Sequence, residues 1–138
     1  MWIFYALLSA VFAALVSLLV KLGLQNLDSN VGTMVRTAVV LLCTIGVVVV
    51  QRKTALVSSI SMRDLAFLTA SGVATALSWL FYFRALQSGT LAVVVALDKA
   101  SLPIAILLGV FFLKEQLSMK DILAAVLISS GTLLFVLK

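Results

Sequence analysis

Two adjacent opposite charges, Asp98 and Lys99, stand inside a run of residues that is otherwise almost wholly apolar, from Leu91 to Leu113. If that run forms one membrane-crossing helix, a rise of ~1.5 Å per residue places the pair roughly 10–12 Å in, close to the midplane of a ~30 Å hydrocarbon core. A charge at that depth costs several kcal/mol unless it meets a partner or water. Such a residue therefore marks a functional site by default, with a purely structural ion pair or a snorkelling lysine as the plain alternative. Successive side chains of a regular helix diverge by about 100°. Asp98 is accordingly expected to pair across the bundle instead of with Lys99, and Arg36 is the candidate partner.

Other polar groups can be gathered around this pair. Lys21, Arg36, Arg84 and Lys99 occur where alternating antiparallel spans would bring all four toward one face of the membrane. With Asp98 the one carboxylate embedded among them, the local charge is positive. Such a field attracts an anionic or zwitterionic group and repels small cations. Ser71, Thr75, Ser78 and Tyr82 recur at helical spacing, with Trp79 beside them. This stripe could line a wet cavity with stacking walls, or serve close helix packing, which is the commoner use of small residues in membrane helices. Pro103 removes a backbone donor just beyond the charges and is expected to loosen the helix there. Interrupted helices beside midplane polar groups are a recurrent transporter device.

The elements that must position these residues follow from composition. At 138 residues, 64% hydrophobic and 11% charged, with a mean hydropathy of +1.28, the chain has too little polar surface to cover a water-soluble globule. It reads as an all-α, polytopic membrane protein, and its length accommodates five or at most six spans. The net charge of +5 sits at the ends of apolar runs, a pattern that speaks for membrane topology and against nucleic-acid binding. Cys43 lies alone in an apolar run and there is no histidine, which excludes a thiolate–imidazole metal site and a histidine-dependent catalytic triad. No paired carboxylates or activated nucleophile suggest an enzyme, and nothing in the sequence asks for a cofactor. The start, Met1-Trp2-Ile3-Phe4-Tyr5, lacks a basic leader and reads as the first permanent span.

Five helices are expected over residues 2–23, 31–50, 62–86, 91–113 and 120–137, as one domain. Asp28-Ser29-Asn30 offers caps for the second, and Gly89 a left-handed terminus for the third. Ser61…Asp64 and Ser118…Asp121 have capping-box spacing and should open the third and fifth helices alike. Arg52, Lys53, Arg63, Lys114 and Lys120 fall on the N-terminal face, against Lys21, Arg84 and Lys138 on the other. The balance favours a cytoplasmic N-terminus. Counting Arg36 and Lys99 with the second face levels the two, which leaves insertion in both orientations open.

Three segments carry a resemblance. They are Trp79-Leu-Phe-Tyr-Phe-Arg84-Ala-Leu-Gln-Ser-Gly-Thr-Leu-Ala, then Ala96-Leu-Asp98-Lys99-Ala-Ser-Leu-Pro103, then Val110-Phe-Phe-Leu-Lys114-Glu115-Gln-Leu-Ser. In order and spacing they resemble the EamA-type domain of the drug/metabolite transporter superfamily, in its short single-domain five-span bacterial and archaeal branch. Lys21-Leu-Gly23-Leu and Arg36 fit as well, and Lys114 stands where a glycine is common. The resemblance implies a transporter of small metabolites or drugs, built as half of an inverted repeat, whose other half is supplied by a second copy. That would make it a homodimer, with an antiparallel pair as one arrangement. The small multidrug exporters are a related alternative, but they depend on a carboxylate in the first span, and this chain has none there.

The expected function is thus a secondary transporter in the cytoplasmic membrane, with Arg36, Trp79, Tyr82, Asp98, Lys99 and Ser101 as solute-binding residues. The competing reading is a membrane subunit that transports nothing, whose buried charges specify helix pairing.

Overall fold

The computed structural model of the chain describes residues 1–135 and 137. Among these the regular structure is entirely helical: α1 (Trp2–Gly23), α2 (Ser29–Val50), the single turn α3 (Thr54–Val57), α4 (Met62–Ser88), α5 (Leu91–Asp98), α6 (Ser101–Leu108), a π-helical segment (Gly109–Leu113) and α7 (Met119–Leu134). Four stretches are long and apolar enough to cross a membrane, namely α1, α2, α4 and the run Leu91–Leu113. With α7 as the fifth helix this is a polytopic, multi-pass membrane protein. The expected end of the last helix at 137 runs past Val136, and the topology count used Lys138; both lie outside the described residues.

Local chemistry sets the helix ends. Asp28 accepts from the backbone N–H groups of Asn30 (2.9 Å) and Val31 (3.3 Å), so α2 begins at Ser29, two residues earlier than expected. Ser118 accepts from the Asp121 N–H while Asp121 accepts from Ser118, a complete capping box at α7. At α4 the Ser61 hydroxyl donates to Asp64 (2.7 Å) and accepts from the Asp64 N–H (3.1 Å). Gly89 does not take a left-handed conformation; no described glycine has positive φ. The α4–α5 link is too short for a separate terminus, since Thr90, extended at φ −72° and ψ 144°, already stands at the N-cap position of α5, without a side-chain cap bond. The left-handed positions are instead Arg52 (φ 55°), after α2, and Lys114 (φ 54°, ψ 34°), which closes the π segment.

The chain divides into two compact units, Met1–Gln87 and Ser88–Lys138. In the first, the buried apolar side chains are Leu24, Phe83 and Leu86; in the second, Val94, with α7 packed against α5 and α6. Most other large apolar side chains point outward, including Phe12, Leu42, Phe81 and Leu107. A surface of that kind is suited to lipid, which is as apolar as leucine and needs no covering by polar groups.

Candidate functional site

In the unit Met1–Gln87, α1 and α4 are joined by two polar contacts one helical turn apart. The Ser17 hydroxyl lies 2.8 Å from the Tyr82 hydroxyl and donates to the Ala13 carbonyl of its own helix (2.8 Å). Since one oxygen has one proton, Tyr82 is then the donor across the pair. Four residues on, in both helices, the Lys21 ammonium donates to the Leu86 carbonyl at 2.6 Å. A cation there meets one of the carbonyls left open in the last turn of α4. The paired steps 17 to 21 and 82 to 86 mean that α1 and α4 run parallel, as first and third spans must. Lys21 is thus a tie between helices at the membrane face, beyond the interfacial anchor suggested by its position.

Arg36 is half-buried on α2, and its guanidinium carbon sits 4.0 Å from the centre of the Trp79 ring and 5.4 Å from that of Phe83. The face of a guanidinium stacks on aromatic rings while its N–H groups lie in the plane, so this contact leaves the donors available. The two carboxylates of this unit are engaged elsewhere, Asp28 as the α2 cap and Asp64 with the Ser61 hydroxyl at the start of α4. Among the described residues no ion pair is recorded for Arg36. Two grooves adjoin it. One, of about 340 Å³, lies between α1, α2 and α4 with Arg36 and Phe83 in its wall; the other, of about 680 Å³, lies between α2 and α4 and includes Thr33, Thr37, Ser71, Thr75 and Trp79. The polar stripe of α4 therefore divides: Ser71 and Thr75 look toward α2, while Tyr82 is committed to α1. Thr37 and Thr75 donate to carbonyls of their own helices, to Thr33 (2.7 Å) and Ser71 (2.8 Å), so what they offer the groove is acceptor capacity.

In the unit Ser88–Lys138 the charges occupy a break in the fourth span. Three hydrogen bonds within four residues tighten to i→i−3 spacing: Lys99 N–H to Ala96, Ala100 N–H to Leu97, and Leu102 N–H to Lys99. Pro103 is the cause. It has no N–H to give the Lys99 carbonyl, and its ring would crowd that oxygen in a regular helix. Leu102 supplies the bond instead, which leaves the Asp98 carbonyl open, and the Ser101 hydroxyl donates to it at 2.7 Å. Because the regular register is lost at Lys99, the 100° separation of neighbours no longer applies. The Lys99 ammonium stands 3.7 Å from the Asp98 carboxylate, correcting the expectation that the two would not face each other. Arg36, the partner expected for Asp98, has the rings of its own unit.

Of the six expected site residues, then, Arg36 and Trp79 are in contact in the first unit, Tyr82 is turned to α1 in the same unit, and Asp98, Lys99 and Ser101 fall in one turn of the second. The order in which their motifs follow one another, across two bundled spans and a proline-broken third, can be compared with known proteins. The EamA-like transporter family model matches residues 1–137. The chain belongs to the EamA-like transporter family. Its similarity extends to a protein of Sinorhizobium sp. named an uncharacterized transporter in the cobO 3′ region, 41% identical over 133 residues that make up 96% of this chain and 94% of that one. No solved structure matches.

For an EamA-like chain, three participants went unnoticed in the sequence. Ser17 gave a signal in being a hydroxyl one turn before Lys21, on the same helical face. Phe83, only 2% exposed, gave none, since an aromatic between Tyr82 and Arg84 looks like any lipid-facing residue. Gly32 is passed over equally easily, yet a Cβ there would run into the Leu24 side chain, so the glycine lets α1 and α2 close the outer end of the smaller groove.

Proposed function

We propose that this EamA-like protein is a secondary transporter that moves a small anionic or zwitterionic solute across the cytoplasmic membrane, working as a homo-oligomer. The observation that carries the reading is the break at Asp98–Ala100. A span that is apolar on both sides gives up regular hydrogen bonding where its two charges lie, and uses Pro103 and Ser101 to hold that arrangement. Non-helical backbone at membrane depth is tolerated where it lines a cavity or is covered by protein, and transporters use it to expose groups to solutes. At the break Lys99 supplies positive charge for the solute and Asp98 tempers it; in the first unit Arg36 supplies positive charge and Trp79 a wall. Ser101 keeps the broken turn in shape.

Nothing in this reading involves catalysis. The outward apolar faces of the spans give a second copy ample surface, and antiparallel pairing of two copies would complete an inverted repeat from one gene product. The test is counterflow in proteoliposomes with labelled amino acids and organic anions. At least one solute should exchange, and Lys99→Ala protein present in the membrane at normal amounts should exchange it at least tenfold more slowly. A native rate in that variant would overturn the assignment.

A further inference from the structure

The smaller groove of the first unit combines features that narrow the solute class. Its wall is built from Leu19, Gly23, Leu24, Gly32 and Val35, all apolar or without a side chain, with Arg36 as its charged member. At about 340 Å³ it falls at the lower end of small-molecule sites, which bind by apolar enclosure plus a few fixed polar groups. The Arg36 donors are left available by its stacking on Trp79, and a guanidinium within a span has much to gain from an anion.

The charge also lies at a particular end. Ser29 opens α2 at the membrane face, and the helix rises about 10 Å between Ser29 and Arg36. The guanidinium lies nearer Trp79 than Phe83, and because α4 ends at Ser88, Trp79 is the deeper ring. The loop residue Leu24, 4% exposed, lies across the outer end against Gly32. The cation is therefore inward and the apolar wall lies between it and the membrane face. A bilayer lipid would bring its headgroup in at the face and its chain inward, the reverse order.

We propose that this groove seats the alkyl chain of a free aliphatic monocarboxylate, with the carboxylate directed inward onto Arg36. The inference rests on the transporter reading above and names the solute class for it. Charge complementarity selects an anion, the apolar wall selects an alkyl chain, and the inward position of the cation selects a free acid over a membrane lipid.

The test is equilibrium binding of hexanoate to the full chain in nanodiscs, followed by thermal stability and calorimetry, since a ligand of the folded state raises its apparent stability. Hexanoate should bind, with acetate, hexanol and hexylamine at least tenfold weaker. Arg36→Gln should weaken hexanoate at least tenfold. Gly23→Leu should do so too: Gly23 lines the groove and a Cβ there meets nothing within 4 Å, so a larger side chain has room beside it. Gly46→Leu, also into open space but away from the groove, should bind as the parent does. If Arg36→Gln fails to fold, Gly23→Leu still decides. Equal binding of hexanol and hexanoate, or unaltered binding by Gly23→Leu, overturns the proposal. So does loss of hexanoate binding when phosphatidylglycerol replaces phosphatidylcholine in the disc, which would assign the groove to lipid. Flux of another solute without hexanoate binding would remove this site and leave the transporter reading intact. Groove-dependent hexanoate binding without flux of any solute would do the opposite.

Discussion

The two compact units keep polar groups inside apolar helices by different means. In Met1–Gln87 they are satisfied between helices: Tyr82 with Ser17, Lys21 with the end of α4, Arg36 on the rings of Trp79 and Phe83. In Ser88–Lys138 the recorded bonds are local in sequence, with Asp98 beside Lys99, Ser101 on the Asp98 carbonyl and Leu102 in place of the missing Pro103 donor. The first arrangement is fixed by packing, because moving a helix breaks the contact. The second travels with its own turn. A fixed helix spacing matters to one, and a locally adjustable backbone to the other, which suits a static wall and a moving part respectively.

This contrast can be broken or sharpened by substitution. The largest effect is expected at Pro103→Ala. Restoring an N–H for the Lys99 carbonyl should favour a continuous helix by up to about 3 kcal/mol. Hydrogen exchange should slow around residues 98–103, with counterflow falling at least tenfold and exchange in α1 and α4 unaltered. If flux persists through a healed helix, the break is not a moving part. Next is Lys21→Met, which removes a charged hydrogen bond across two helices and should lower stability by about 2 kcal/mol, read by reversible unfolding in mixed micelles. A null result would show that the α1–α4 contact does not depend on it.

A smaller gain is expected at Lys114→Gly. Its left-handed backbone carries a strain that glycine lacks, so the variant should be more stable by roughly 0.5–1 kcal/mol. A loss would mean that the Lys114 side chain contributes more than its backbone costs. The smallest effect is the Ser17–Tyr82 bond. A double-mutant cycle of Ser17→Ala and Tyr82→Phe should give a coupling of about 0.6 kcal/mol, the scale of hydrogen bonds between membrane helices. No coupling would sever the comparison at its best-defined contact.

Much of the fold could be read before any coordinates, for reasons visible at particular residues. Continuous apolar runs bounded by Asp28, Ser61 and Ser118 announce helices because an unsatisfied N-terminal backbone N–H in or near lipid is costly, and short polar side chains are what satisfies it. The α1 boundaries agreed with the reading, and α2 differed by the two residues that Asp28 caps. The glycine expectation failed at Gly89 because a two-residue link cannot serve both helices. Lys114 takes the left-handed turn instead. Pro103 foretold a weakness, but not that Ser101 would cap the freed carbonyl, nor that the charges would then pair with each other.

Sequence alone therefore determined that the chain is helical and crosses a membrane, where its long helices start to within two residues, and which few residues in the apolar runs are polar. These are consequences of solvation and local hydrogen bonding, which act within a few residues. Only the tertiary structure decided which ring Arg36 lies on, that Tyr82 is held by Ser17, and that Gly32 and Leu24 close one end of a groove. Each depends on the relative register of two helices far apart in the chain, and in an apolar medium many registers bury equally greasy surfaces. The choice among them falls to a few polar contacts and to shape, neither of which composition records.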